Sequence, residues 1–153
     1  MLSNQTVAIV KSTAPILEEH GVALTRHFYR RMFEHNPEVA PFFNPANQAA
    51  GKQQRALAAA IVAYAANIDN LGALGQAVEL IAQKHASLMI QPEHYPVVGA
   101  NLLASIREVL GEGATDAVLA AWAEAYGLLA DILIGRERQI YQENAEKPGG
   151  WQG

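Results

Sequence analysis

Three side chains sit where the apolar periodicity of the sequence asks for something else, and these could do chemistry. His85 falls on a stripe with Leu74, Val78, Ile81 and Leu88, where an imidazole without a partner costs a few kcal/mol to bury. It is either a histidine satisfied inside the core or a ligand to a metal or a haem iron. Tyr29 lies on the inner side of a second stripe, with Leu24, Phe28, Met32 and Phe33, and a buried phenol needs a hydrogen-bond partner. Glu137 extends a stripe of Val118, Trp122, Tyr126, Leu129, Leu133 and Ile140. An acid there is at the rim or in a buried network with a cation or a hydroxyl. Gln53, on the Leu57 stripe, and Tyr95, beside Pro96, carry weaker versions of the same signal.

The other four histidines read as ordinary surface. His20 and His35 fall at expected helix ends, where a cation suits the dipole. His27, beside the inward Phe28, is expected to face solvent, and His94 to be solvated in the first turn of its helix. The sequence has no Ser-His-Asp array, H-E-x-x-H, P-loop or G-x-G-x-x-G. Adjacent acids such as Glu18-Glu19 are solvated charge, not a glycosidase dyad. With no cysteine in the chain, disulfides, iron–sulfur clusters, zinc–thiolate sites and a haem attached through C-x-x-C-H are excluded.

The elements that must position these residues are helical, because apolar residues recur at 3–4 spacing and no period-2 strand pattern is present. The spacing predicts a helix over residues 3–19 with Val7, Val10, Ala14 and Leu17 inward, bent at Pro15 and ended by Gly21. A second follows over 22–35, then a short turn over 37–43 opened by Pro37 and a loop at 44–47. A helix over 48–67 carries Gln53, Leu57, Ile61, Tyr64 and Ile68 on one face. Helices are expected over 71–88, from Pro92 to 110, and from a Thr115 cap to 145. This is an all-α chain of six to seven helices, too irregular for a bundle of four matched ones. Its 153 residues fit one domain. The formal charge of −4 argues against a nucleic-acid or anionic-membrane partner. The longest apolar run, 56–66, falls short of a membrane span. The first ten residues carry no signal-peptide pattern, so a cytoplasmic protein is expected. The final stretch, Lys147-Pro148-Gly149-Gly150-Trp151-Gln152-Gly153, breaks helix and reads as a linker.

Several segments, taken in order, carry a resemblance: H-F-Y-R-R-M-F at 27–33, P-F-F-N at 41–44, I-A-Q-K-H at 81–85, H-Y-P-V-V-G at 94–99 and A-W-A-E-A-Y-G at 121–127. Glu137, Tyr141 and P-G-G-W at 148–151 follow. Over the whole chain this resembles the globin half of bacterial flavohaemoglobins and the related single-domain bacterial haemoglobins. The resemblance implies a globin fold around a haem pocket, with residues 1–146 as the haem domain. Residues 147–153 become a linker remnant toward a flavin and nicotinamide reductase absent from this sequence. It implies haem b held non-covalently, with His85 on the iron, Phe43 packed on the haem face, and Leu57, Phe28, Ile81, Val98, Leu102 and Tyr126 as apolar lining. Tyr29, Gln53 and Leu57 become the distal pocket, Glu137 and Tyr95 the network behind His85, and Lys84 the neighbour that tunes redox behaviour. The implied ligands are O2 and NO, with a flavin reductase carrying FAD and NAD(P)H as electron donor. The implied activity is oxidation of nitric oxide to nitrate or, as in the single-domain members, storage and delivery of O2. A gas-sensing role is not expected, because no signalling output domain accompanies the haem domain.

Overall fold

The first helix is one helix and not two. In the computed structural model, which describes residues 2–43, 46 and 50–146, α1 runs unbroken over Asn4–His35 with Pro15 inside it. Ser3 caps it, its Oγ accepting from the Thr6 amide at 3.1 Å. The break expected at Gly21 is absent. A Cβ built there would meet the Ala58 Cβ at 3.1 Å, so this glycine marks the close crossing of two helices rather than an end. One turn on, Thr25 Oγ1 donates to the Gln54 carbonyl at 2.8 Å and ties the same crossing. His20 therefore lies in mid-helix, exposed beside Glu19, and not at a helix end; His35 is in the last turn as expected.

A 3-10 turn over Pro37–Phe42 follows, with proline in its first turn. Helix α2 spans Lys52–Ala66. The helix expected over 71–88 divides into a 3-10 turn, Leu71–Leu74, and α3, Gly75–Ser87. Helix α4 spans His94–Leu110, a 3-10 turn occupies Gly111–Gly113, and α5 spans Asp116–Glu146. Thr115 Oγ1 accepts from the Val118 amide at 3.2 Å and opens α5. Among the described residues there is no strand. Most of the loop expected at 44–47, the beginning of the helix expected from 48, and the linker at 147–153 lie outside the described residues.

Helix α1 packs on α2, α4 and α5, while α3 packs on α5 and on the 3-10 turn that precedes it. Two cores result. The larger gathers Val10, Leu17, Leu24, Phe28, Met32, Ile61, Tyr64, Ile106 and Trp122; the smaller gathers Ala82, Ala86, Tyr95, Ala130, Leu133 and Ile140. Among the described residues α5 is the one helix long and apolar enough to cross a membrane, but its apolar stripe supplies Trp122, Leu133 and Ile140 to these cores. Buried polar groups are tied across helices: Trp122 Nε1 donates to Thr13 Oγ1 at 3.1 Å and Tyr64 OH to the Ala125 carbonyl at 2.6 Å.

Two surface expectations are corrected by packing. His27 does not simply face solvent; it is half-buried in the α1–α4 seam, 3.4 Å from Glu108, which also accepts from Arg31 Nε at 2.9 Å. His94 is half-buried too, its ring 4.7 Å from that of Phe42 and its Nδ1 accepting from the Gln91 amide.

The crossing at Gly21 has a measurable consequence. Alanine gains roughly 1 kcal/mol of helix propensity over glycine, which the tight contact offsets, so Gly21→Ala should be close to neutral. Gly21→Leu must push the helices apart and should cost about 1–3 kcal/mol in urea unfolding; a helix end would tolerate both.

Candidate functional site

Helix α3 delivers His85 in its last turn, and the turn is locked from several sides. The Ile90 amide donates to the His85 carbonyl at 3.0 Å and the Met89 amide to the Ala86 carbonyl at 3.0 Å, the pairing of a Schellman motif. That motif needs a left-handed residue, and Met89 takes it at φ 62° at a cost of roughly 1–2 kcal/mol, where glycine is usual. Tyr141 OH donates to the Ile90 carbonyl at 2.6 Å, so α5 holds the turn in place. At the start of α4, Tyr126 OH donates to the Tyr95 carbonyl at 2.7 Å. The Tyr126 ring can lie there only because residue 99 is glycine: a Cβ would meet it at 2.7 Å.

These anchors converge on one hydrogen-bond triangle. Glu137, on α5, is 3% exposed and is buried rather than at the rim. Tyr95 OH lies 2.8 and 2.7 Å from its two oxygens. His85 Nδ1 lies 3.0 Å from Glu137 Oε2 and 3.0 Å from the Tyr95 hydroxyl. A carboxylate only accepts and the phenol has a single proton, which it gives to Glu137, so both neighbours present lone pairs to Nδ1. This assigns the proton of the imidazole to Nδ1 and leaves the Nε2 lone pair outward, where no described residue makes a hydrogen bond to it. Burial, together with the Glu137 hydrogen bond, drives the Tyr95 pKa well above that of a free phenol, so Tyr95 is a permanent donor to the carboxylate.

On the other side, Tyr29 is 7% exposed. Its ring stands edge-on to Phe28 at 5.1 Å and to Phe43 at 5.4 Å, with Phe33 at 5.9 Å. Its hydroxyl has no hydrogen bond to a described residue, and burial pushes its pKa up to about 12, so it keeps a proton to donate. Gln53 and Leu57 are half-buried on α2, and the neighbouring Gln54, which sequence reasoning passed over, is buried. Leu57, Phe43, Val98 and Tyr126 are partly exposed against the larger core, and Ile81 against the smaller one. Phe28 and Leu102 are buried within the larger core. Lys84 is exposed on α3, and its amine makes no ion pair or hydrogen bond with a described residue.

Apolar side chains of α2, α3 and α4, among them Leu57, Ile81 and Val98, are thus left only partly covered by the two cores. Among the described residues no cluster of His, Cys, Asp or Glu could hold a bare metal ion. One imidazole nitrogen with its lone pair free, on a helix whose apolar Ile81 is only partly covered, fits a metal that brings its remaining ligands with it. A haem meets that description, and an all-helical frame that offers one such histidine is the frame of a haem protein of the globin class.

The comparisons agree. The family model described as Globin matches residues 26–133. The chain is 60% identical, over its full length, to a flavohemoprotein from Bordetella pertussis, and spans 38% of that relative. It superposes on a bacterial globin from Campylobacter jejuni with a TM-score of 0.87 at 41% identity, covering 92% of this chain and 99% of that one. An engineered carbene transferase from Rhodothermus marinus superposes with a TM-score of 0.90 at 40% identity, covering 95% of this chain and 100% of that one. The chain belongs to the globin family, whose members bind haem.

The buried phenols set the alkaline limb of stability. A free phenol loses its proton near pH 10, whereas burial lifts Tyr29 and Tyr64 to about 12. A folded-state pKa above the unfolded one means stability is fully present below pH 10 and is lost as pH rises through 12. Urea titrations from pH 9 to 12 should show this loss, with a smaller slope in Tyr29→Phe; an identical slope would mean Tyr29 reaches water.

Proposed function

We propose that this chain holds haem b through His85 Nε2 and, supplied with electrons by a flavin reductase, oxidises nitric oxide with O2 to nitrate. The observation that carries the reading is the buried Glu137–Tyr95 pair on His85 Nδ1. When bound, haem would supply an iron that binds a diatomic gas and exchanges electrons. The protein's own contribution begins at Glu137. By accepting from Nδ1–H it gives the imidazole partial imidazolate character and strengthens Nε2 as a donor, a proximal side of the peroxidase kind. Tyr29 OH, which keeps its proton, would donate to the bound gas, a charge-assisted bond of roughly 1.5–3 kcal/mol. Gln53 would assist, and Leu57 and Phe43 would keep water away. Ile81, Val98, Leu102, Phe28 and Tyr126 would line the cofactor.

Nitrate forms from O2, NO and one electron, so each turnover must be recharged. FAD and NAD(P)H in a reductase would do this, with residues 1–146 as the haem domain and 147–153 leading toward that reductase. The exposed Lys84, next to His85, is where a donor would meet the proximal side. A reducing cytoplasm is the setting we assign. The second reading is storage and delivery of O2, favoured by the match to nearly the whole length of the C. jejuni globin.

Acidified butanone should extract the pigment, and His85→Ala should lose the Soret band and regain it with added imidazole; an unchanged band would remove His85 as ligand. A matched flavin–nicotinamide reductase supplied in trans should reduce the oxidised protein well above the rate for myoglobin. Equal rates would leave O2 delivery as the better account. Separately, Tyr29→Phe should release O2 roughly 10–150-fold faster in stopped flow; wild-type release would assign the donor role to Gln53 or water.

A further inference from the structure

Helix α3 carries the His85 imidazole but has little apolar hold on the molecule. Its fully buried side chains are Ala82 and Ala86, which contribute small areas and little interlocking shape, and Val78 and Ile81 are only half-buried against the same core. No side chain caps its first turn. It packs on α5 and on the 3-10 turn before it. A contact centred on two alanines resists rolling weakly, and restraints at one end do not stop it. The His85–Glu137 and Tyr141–Ile90 hydrogen bonds both act on the C-terminal end. At the other end a fork closes on α3: Arg136 Nε donates to Glu79 Oε1 at 2.6 Å and Arg136 NH2 to Glu79 Oε2 at 3.0 Å. Gln83 Nε2 also donates to Glu79 Oε2, at 2.7 Å, and Glu143 lies 3.7 Å from the guanidinium. The Arg136 and Gln83 hydrogen bonds hold the Glu79 carboxyl at about pKa 2.

We propose that the Arg136–Glu79 fork is a positioning device, which fixes the roll of α3 on α5 and thereby the contact between His85 and Glu137. Arg136 is the residue before Glu137 in α5, so fork and triangle share one stretch of backbone and a shift at one is felt at the other. Two parallel hydrogen bonds between planar groups specify orientation as well as distance, which a lysine could not do. The side chains remain 28% and 42% exposed, and pairs of that exposure add little to global stability. The fork therefore acts on direction and hardly on folding free energy. Arg136 and Glu79 touch neither cofactor nor gas; they act through His85. The proposal rests on His85 as the haem ligand.

The test uses the haem-loaded protein and two readouts besides activity. In resonance Raman, the iron–histidine stretch should move down in Arg136→Ala and in Glu79→Gln, in the direction of Glu137→Gln and by less. The double variant should show no further change, and Arg136→Lys should fall between. High salt should move the wild type the same way and leave Arg136→Ala alone. Hydrogen exchange should quicken over residues 79–88 in Arg136→Ala and stay the same in α1 and α2, with the unfolding midpoint nearly unchanged. Exchange over 79–88 at the wild-type rate would overturn the proposal. So would faster exchange with an unmoved stretch, provided Glu137→Gln moves it. A stretch unmoved by Glu137→Gln would instead overturn the reading of Glu137 as the group that tunes His85, and the positioning role would fall with it.

Discussion

Burial of the Glu137 carboxylate is the constraint on which the rest of the site depends. Taking a carboxylate out of water costs several kcal/mol unless donors replace the water. Here the donors are one phenol and one imidazole N–H, from two other helices. Bringing them together dictates much of the neighbouring backbone. The start of α4 must lie against α5, which the Gly99–Tyr126 contact allows. The end of α3 must turn sharply enough to leave His85 facing inward, which the left-handed Met89 and the Tyr141 anchor achieve. The constraint also runs the other way. Because both neighbours of Nδ1 are acceptors, the imidazole has one tautomer and a single outward lone pair. The structural need of the acid and the chemical need of a metal ligand are met by the same proton.

The second feature is an opposition of two unlike cores. The larger one is built from aromatic and branched side chains of α1, α2, α4 and α5 and is tied by buried polar groups. The smaller one is rich in alanine and holds α3 to α5. The apolar side chains of Leu57, Val98, Ile81 and Tyr126 remain partly exposed at their edges, an arrangement that a closed core would not leave. Tyr29 makes a related point. A phenol at 7% exposure whose hydroxyl has no hydrogen bond to a described residue carries a desolvation penalty, yet its ring is fixed by three aromatic neighbours. A fixed donor on α1 and a fixed lone pair on α3 are what the proposed function draws on.

How far the sequence revealed this depends on the kind of signal each residue sends. His85, Tyr29 and Glu137 stood out because each interrupts an apolar stripe of helical period, and the structure shows all three at least partly withdrawn from solvent. Gly21 misled because a glycine that ends a helix and one that lets two helices touch look alike. The phase gave a usable clue: Leu17, Gly21, Leu24 and Phe28 keep one 3–4 period straight through the supposed break. Met89 left no clue, since glycine or asparagine is the usual sign of a left-handed residue. The α1–α4 seam of His27, Arg31, Asn101 and Glu108 was hidden for another reason. Its hydrogen bonds join residues far apart in the chain, and periodicity reports only which face is buried, not which polar groups meet there. Gln53 is half-buried and its neighbour Gln54 buried, a difference of one residue that a stripe read near a helix start does not resolve.

The weak apolar hold on α3 bears on what a site of this kind can be tuned to do. Where a ligand-bearing helix is packed by large interlocking side chains, any change of its position has to distort a core, at a cost of several kcal/mol. Here the helix buries only two alanines fully, with Val78 and Ile81 half-buried beside them, and is fixed further by hydrogen bonds, so on the positioning role proposed above single polar substitutions would alter the donor strength of His85 while leaving the larger core intact. On the function proposed above, dioxygenation and O2 delivery would need the same imidazole donor and the same hydroxyl, and would differ in how quickly an electron arrives. That difference would fall on the outer surface of α3, where Leu80 and Lys84 are exposed. A helix held by polar contacts and presenting its outer face to solvent would separate the two demands: the inner face would set the chemistry, and the outer face could change its electron source without disturbing it.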